Sequence, residues 1–161
     1  VNDAVYQACG LGEERGACRS FWHERSFSMV QSDVIGLMGP EHFRRFVLPA
    51  IEEEAAYHEA VCFHLDGVDA LKHLDDILGI EAIDVLQWIP GAGKAQSFEW
   101  LDVLQRAQAA GKAVQVLGHG LDSFAVKQIH GQLDPAKVIY YPDISSPEEF
   151  RELADWLCTH T

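Results

Sequence analysis

The sequence has no long apolar run, few cations and no paired cysteines, and each shortage removes a class of protein. No segment approaches the roughly 18 to 20 consecutive apolar residues of a membrane span. The opening residues, "VNDAVYQACGLGEERGACRS", lack the basic start and apolar core of a signal peptide, so the cytoplasm is the expected location. Only 12 lysines and arginines stand against 25 aspartates and glutamates, a formal net charge of −13. Such a surface repels phosphate backbones and argues against a nucleic-acid role. The four cysteines, Cys9, Cys18, Cys62 and Cys158, form no CxxC pair and match neither a zinc-finger spacing nor a disulfide framework, so reduced thiols are expected. No GxSxG occurs and no cysteine–histidine pairing stands out, which leaves nucleophilic catalysis without support. "GAGK" at 91–94 fails as a phosphate loop. Trp88 occupies the place of the first Walker glycine, Ala95 that of the serine or threonine, and Gln96 that of the third glycine of GxGxxG.

What is present is a rhythm. With 161 residues, 48% of them hydrophobic, the chain is long enough for one domain with a sizeable core. Residues 1–26 are polar, glycine-containing and irregular. From residue 27 strand-like and helix-like runs alternate: "FSMVQSDVIGLM" then "GPEHFRRFVLPAIEEEAAYH"; "AVCFHLD" then "VDALKHLDDILG"; "AIDVLQWI", a loop, then a helix from Ser97 to about Ala110 closed by Gly111; "AVQVLGHG" then "LDSFAVKQIHGQ"; and "KVIYYPDI" before a last helix. Gly39 and Pro40 suit the start of the first helix. Ser146, Pro147 and Glu149 read as a capping box for the last. Five strand–helix units with short connections predict an α/β fold of parallel strands with crossover helices over residues 27–161. Eight such units of a barrel need about 250 residues. The chain therefore reads as an open doubly wound sheet or as part of a barrel whose edges something else covers. Both architectures collect ligands at the carboxyl ends of their strands.

Polar residues gather at those ends. In "AVCFHLD" the period-2 alternation puts Val61, Phe63 and Leu65 on one face, and Cys62, His64 and Asp66 on the other. His64 and Asp66 therefore share a face about 7 Å apart, just before Gly67. They suit ligation of a divalent ion, general acid–base work, or a hydrogen-bonded polar strand end. Asp33 follows the first strand, Gln87 and Trp88 end the third, His119 the fourth and Asp143 the fifth. His23, His42, His58, His73, His130 and His160 have no such placement and read as surface or helix residues.

The order of these motifs is familiar. "QSDVIGLMGPEHFRRFVLPAIEE", "FHLDG" with its helix, "IDVLQWIPGAGK", and a last strand followed by "SSPEEFRELADWL" resemble the carboxyl-terminal half of the uroporphyrinogen decarboxylase superfamily. The closer likeness is to its cobalamin-related methyltransferase-like branch, over roughly residues 27–157. The resemblance implies the carboxyl-terminal half of a (β/α)8 barrel. It also implies zinc held by a His-x-Cys pair and a cysteine near the last strand, activating a thiol that takes a methyl group from a corrinoid. His64 matches the histidine, Asp66 stands in place of the cysteine, Asp143 falls near the last cysteine, and Asp33 matches an acidic pocket position.

The resulting expectation is metal-assisted methyl transfer involving a corrinoid carried by a partner protein. His64, Asp66 and Asp143 would hold a divalent metal, and oxygen ligands in place of the two thiolates would leave it a harder, more positive centre. His64, Asp66 and Asp33 would be catalytic, and Gln87, Trp88 and His119 would contact a small-molecule substrate. The rivals are a decarboxylase or lyase that uses His64 and Asp66 without metal, and a truncated barrel that serves as a binding or assembly subunit. A homo-oligomer, or pairing with a missing barrel half, is expected to cover the open edges.

Overall fold

The computed structural model describes residues 26–161 and, before them, 16–18, 21–23 and the single positions 4 and 8. The segment read as irregular holds two three-residue antiparallel strands, β1 (Gly16–Cys18) and β2 (Phe21–His23). Cys9 and the rest of residues 1–25 lie outside the described residues.

Five further strands make one sheet: β3 (Phe27–Gln31), β4 (Ala60–Asp66), β5 (Val85–Ile89), β6 (Ala113–Leu117) and β7 (Val138–Tyr141). Their order in the sheet is their order in the chain, and the pairs β3–β4 and β6–β7 are parallel. A doubly wound sheet reverses its strand order at a switch point. Here none is reversed, so the parallel βα units match those of a partial barrel, one of the two architectures the length and rhythm left open. By compactness the chain divides into residues 1–85 and 86–161.

In the first unit β3 is shorter than "FSMVQSDVIGLM" implied. It stops at Gln31, and Asp33–Leu37 turns into a 3-10 helix that begins with the Ile35 amide on the Ser32 carbonyl at 3.3 Å. Serine and aspartate here favour a turn over a continuing ladder. The following helix opens as foreseen, with Pro40 at its first position in α1 (Pro40–His42). It then widens into a π turn over Phe43–Val47 before α2 (Leu48–Ala56). The cause is Pro49, which has no N–H to give the Arg45 carbonyl and whose ring needs room in the preceding turn. The Leu48 amide reaches back five residues to the Phe43 carbonyl instead. β4 packs Val61, Cys62, Phe63 and Leu65 out of solvent entirely, the two-sided burial of a parallel strand. Asp84 anchors its start, its carboxylate accepting from the Val61 amide at 2.8 Å. The short α3 (Leu74–Leu78) follows a 3-10 turn, Val68–His73.

In the second unit the helix expected from Ser97 is broken at Trp100 into a 3-10 turn, Ser97–Glu99, and α4 (Leu101–Ala109). Gln96 and Glu99 form a reciprocal capping box there that the sequence did not advertise. α4 ends near Gly111, whose φ of 88° suits glycine. α5 (Ser123–His130) is capped by Asp122, which accepts from the Ala125 amide at 2.8 Å. α6 (Pro147–His160) starts at Ser146, whose hydroxyl accepts from the Glu149 amide at 3.1 Å. Only half of the expected box closes. The Glu149 carboxylate goes to the Ser145 hydroxyl and amide and to the Ser123 hydroxyl instead, and these bonds hold it below the usual carboxylate range. Glu149 thereby ties the start of α6 to the start of α5.

Candidate functional site

The face of β4 that carries the histidine changes along the strand. Cys62 is fully buried, His64 half-buried and Asp66 exposed. The strand thus runs from core to open mouth at its carboxyl end, where Gly67 takes φ 84° and turns the chain into the next helix. Register sets Gln31 of β3 beside His64. Asp33 lies just past the same end of β3, exposed, on the Asp33–Leu37 turn.

That turn is held by the segment directly after "FHLDG". Lys72 donates to the Gly36 carbonyl at 2.8 Å. His73 is fully buried, and its Nε2 lies 3.0 Å from the Ile35 carbonyl and 3.1 Å from that of Met38. Two carbonyl acceptors require the proton on Nε2. The ring also packs on Phe43 with centroids 4.2 Å apart. His73 is therefore a core residue that positions the Asp33 turn, and not the surface or ordinary helix histidine expected. A signal for it exists: Ala70, His73, Leu74, Ile77 and Leu78 are all buried and lie at helical spacing, so His73 occupies a place in the apolar stripe. His130 is likewise buried, between the Tyr140 hydroxyl at 3.1 Å and the His160 carbonyl at 3.3 Å. Burial pushes the Tyr140 hydroxyl well above the usual tyrosine range.

In the second unit the expected substrate contacts divide. Gln87 is buried and donates through its side-chain amide to the Gln115 side chain of β6, itself buried. Trp88 is fully buried, edge-on to Trp100 with ring centroids 5.6 Å apart. His119 and Asp143, by contrast, come together. They line a cavity of about 410 Å³ at the carboxyl ends of β6 and β7, with Gln96, Leu117, Tyr141 and Pro142.

The wall of this cavity is built by residues that spacing alone did not single out. The Gln96 side-chain oxygen accepts from the His119 amide at 3.1 Å. The Ser97 hydroxyl donates to the Leu117 carbonyl, and the Asp143 amide donates to the Leu121 carbonyl at 2.9 Å. Gly118 makes the arrangement possible. Its φ is 143°, and a Cβ there would stand 2.7 Å from the Gln96 side-chain oxygen and 3.3 Å from the Gln96 Cβ. Gly118→Ala is accordingly expected to cost about 1–3 kcal/mol, from backbone strain and displacement of Gln96. A denaturant titration reads this as a lowered midpoint, and an unchanged midpoint would mean that Gln96 moves aside freely.

The metal expectation meets a shortage of donors. Among the described residues no group of three or more histidines, cysteines, aspartates or glutamates could hold a metal ion. His64 and Asp66 offer two donor groups where catalytic zinc uses three protein ligands and a water, so the residues as placed do not fit a resident zinc. Among the described residues no helix is long and apolar enough to cross a membrane. Comparison with family models, with curated proteins and with solved structures finds no match.

Proposed function

We propose that the protein is a methyltransferase-like member of the uroporphyrinogen decarboxylase superfamily that acts on a small molecule at the carboxyl ends of its parallel strands. A corrinoid carried by a partner protein is the methyl source. The observation that carries the reading is the mouth of β4, where His64 and Asp66 end a strand whose Val61, Cys62, Phe63 and Leu65 are fully buried, beside the turn bearing Asp33. The motif order in the sequence supports it.

In this reading His64 accepts the proton that a thiol or amine acceptor gives up as its lone pair takes the methyl group, and the partner's corrinoid would supply the methyl and keep the electron pair of the bond it loses. No step is assigned to a metal. The test is methyl transfer from free methylcob(III)alamin to a small thiol by the full chain, followed through the visible spectrum of the corrinoid. Turnover above the protein-free rate is expected, and none with thiols or amines would overturn the proposal.

The two-donor count favours a second reading in the same superfamily, decarboxylation or lyase chemistry with His64 and Asp66 as acid and base. Carbon dioxide release from a carboxylated substrate, without methyl transfer, would select it.

A further inference from the structure

We infer that the cavity at the carboxyl ends of β6 and β7 is a binding site for a small organic cation, an amine protonated at neutral pH. The inference goes beyond the proposed reaction and rests on it only in placing ligands at strand carboxyl ends.

The polar groups around the cavity fall into two sets. Gln96 and Ser97 are engaged in building the wall, through the His119 amide and the Leu117 carbonyl. The Asp143 carboxylate, the His119 imidazole and the Tyr141 hydroxyl have no partner among the described residues, although all three residues line the cavity. Asp143 is held in place by its backbone, its amide bonded to the Leu121 carbonyl, which leaves the carboxylate free for a ligand.

The sign of charge narrows the ligand. Among the described residues Asp143 is the one carboxylate of the lining, and no lysine or arginine lines the cavity to balance it. The chain as a whole carries −13. A carboxylate or phosphate ligand would meet repulsion from both, and a cation attraction from both. Tyr141 is 57% exposed and offers a ring face on which an ammonium group is stabilised. Leu117 and Pro142 supply apolar contact for a short carbon chain. A volume of about 410 Å³ suits a molecule of that size.

The test compares three probes of one shape on the full chain at neutral pH: propylammonium, propionate and 1-propanol. Amide resonances of Gly118 and His119 are followed by NMR. Propylammonium is expected to give saturable shifts at these amides, and the other two at least tenfold weaker binding. Asp143→Asn, which keeps the backbone bond to Leu121, is expected to weaken propylammonium binding at least tenfold. Equal or stronger binding of propionate or propanol would overturn the inference. So would a flat propylammonium titration, or unchanged affinity in Asp143→Asn. Methyl transfer to a thiol persisting alongside a flat titration would remove this inference alone and leave the proposed function standing.

Discussion

His64→Ala is expected to lower turnover by about 10²- to 10⁴-fold, the range spanned by loss of a positioned general base. The reason lies in where β4 comes to its end. Val61, Cys62, Phe63 and Leu65 are at zero exposure, so the strand is rigid up to the residue before Asp66. A half-buried imidazole on such a support keeps its direction without depending on a mobile loop. Asp66→Asn should give a smaller loss, because the amide keeps the shape of the carboxylate and removes only its charge. Circular dichroism and the unfolding midpoint should stay near those of the wild type in both variants, since neither side chain belongs to the core. Wild-type turnover in His64→Ala would reduce the pair to a polar strand end.

The largest effect on stability is expected from His73→Ala, about 3–5 kcal/mol. Two costs combine. A fully buried ring packed 4.2 Å from Phe43 is removed and leaves a cavity. The carbonyls of Ile35 and Met38 also lose their shared donor. Against a total stability of about 5–15 kcal/mol this is a large fraction. His73→Phe refills the space but restores no donor, so it should recover only part of the loss. Hydrogen exchange at residues 33–38 should quicken in both variants, because the same bonds hold the Asp33 turn. An unfolding midpoint unaffected by His73→Ala would show that Lys72 and the surrounding packing hold the turn alone.

Much of the fold was legible in the sequence because its signals are local. Short apolar runs bounded by glycine and proline marked the five parallel strands, and Pro40, Ser146 and Pro147 marked helix starts that the structure keeps. Strand order was not legible. Both a barrel and a doubly wound sheet share the same alternation, and only pairing between distant segments separates them. The π turn at Phe43–Val47 was hidden in a continuous helical pattern, although Pro49 stood four residues after Arg45 to cause it.

For the candidate site, alternation along β4 puts His64 and Asp66 on one face, and the structure leaves His64 half-buried and Asp66 exposed. His73 escaped because histidine reads as polar, while its position in the stripe 70, 73, 74, 77 and 78 is that of a core residue. The same blindness applies to Gln115, a polar side chain almost fully buried because Gln87 satisfies it. Gln96, Ser97 and Gly118 escaped for another reason. They act through bonds and clearances across some 20 residues of chain, and no spacing rule reaches that far.

We propose that His64 works as the general base at the end of β4, beside Asp66 and without a resident metal. Its most direct test is the metal content of purified wild type and His64→Ala by elemental mass spectrometry, with turnover measured before and after exhaustive chelation. Metal well below one equivalent per chain in both proteins, and wild-type turnover that survives chelation, is the predicted result. One zinc per chain in the wild type, lost in His64→Ala together with activity that zinc restores after chelation, would contradict it.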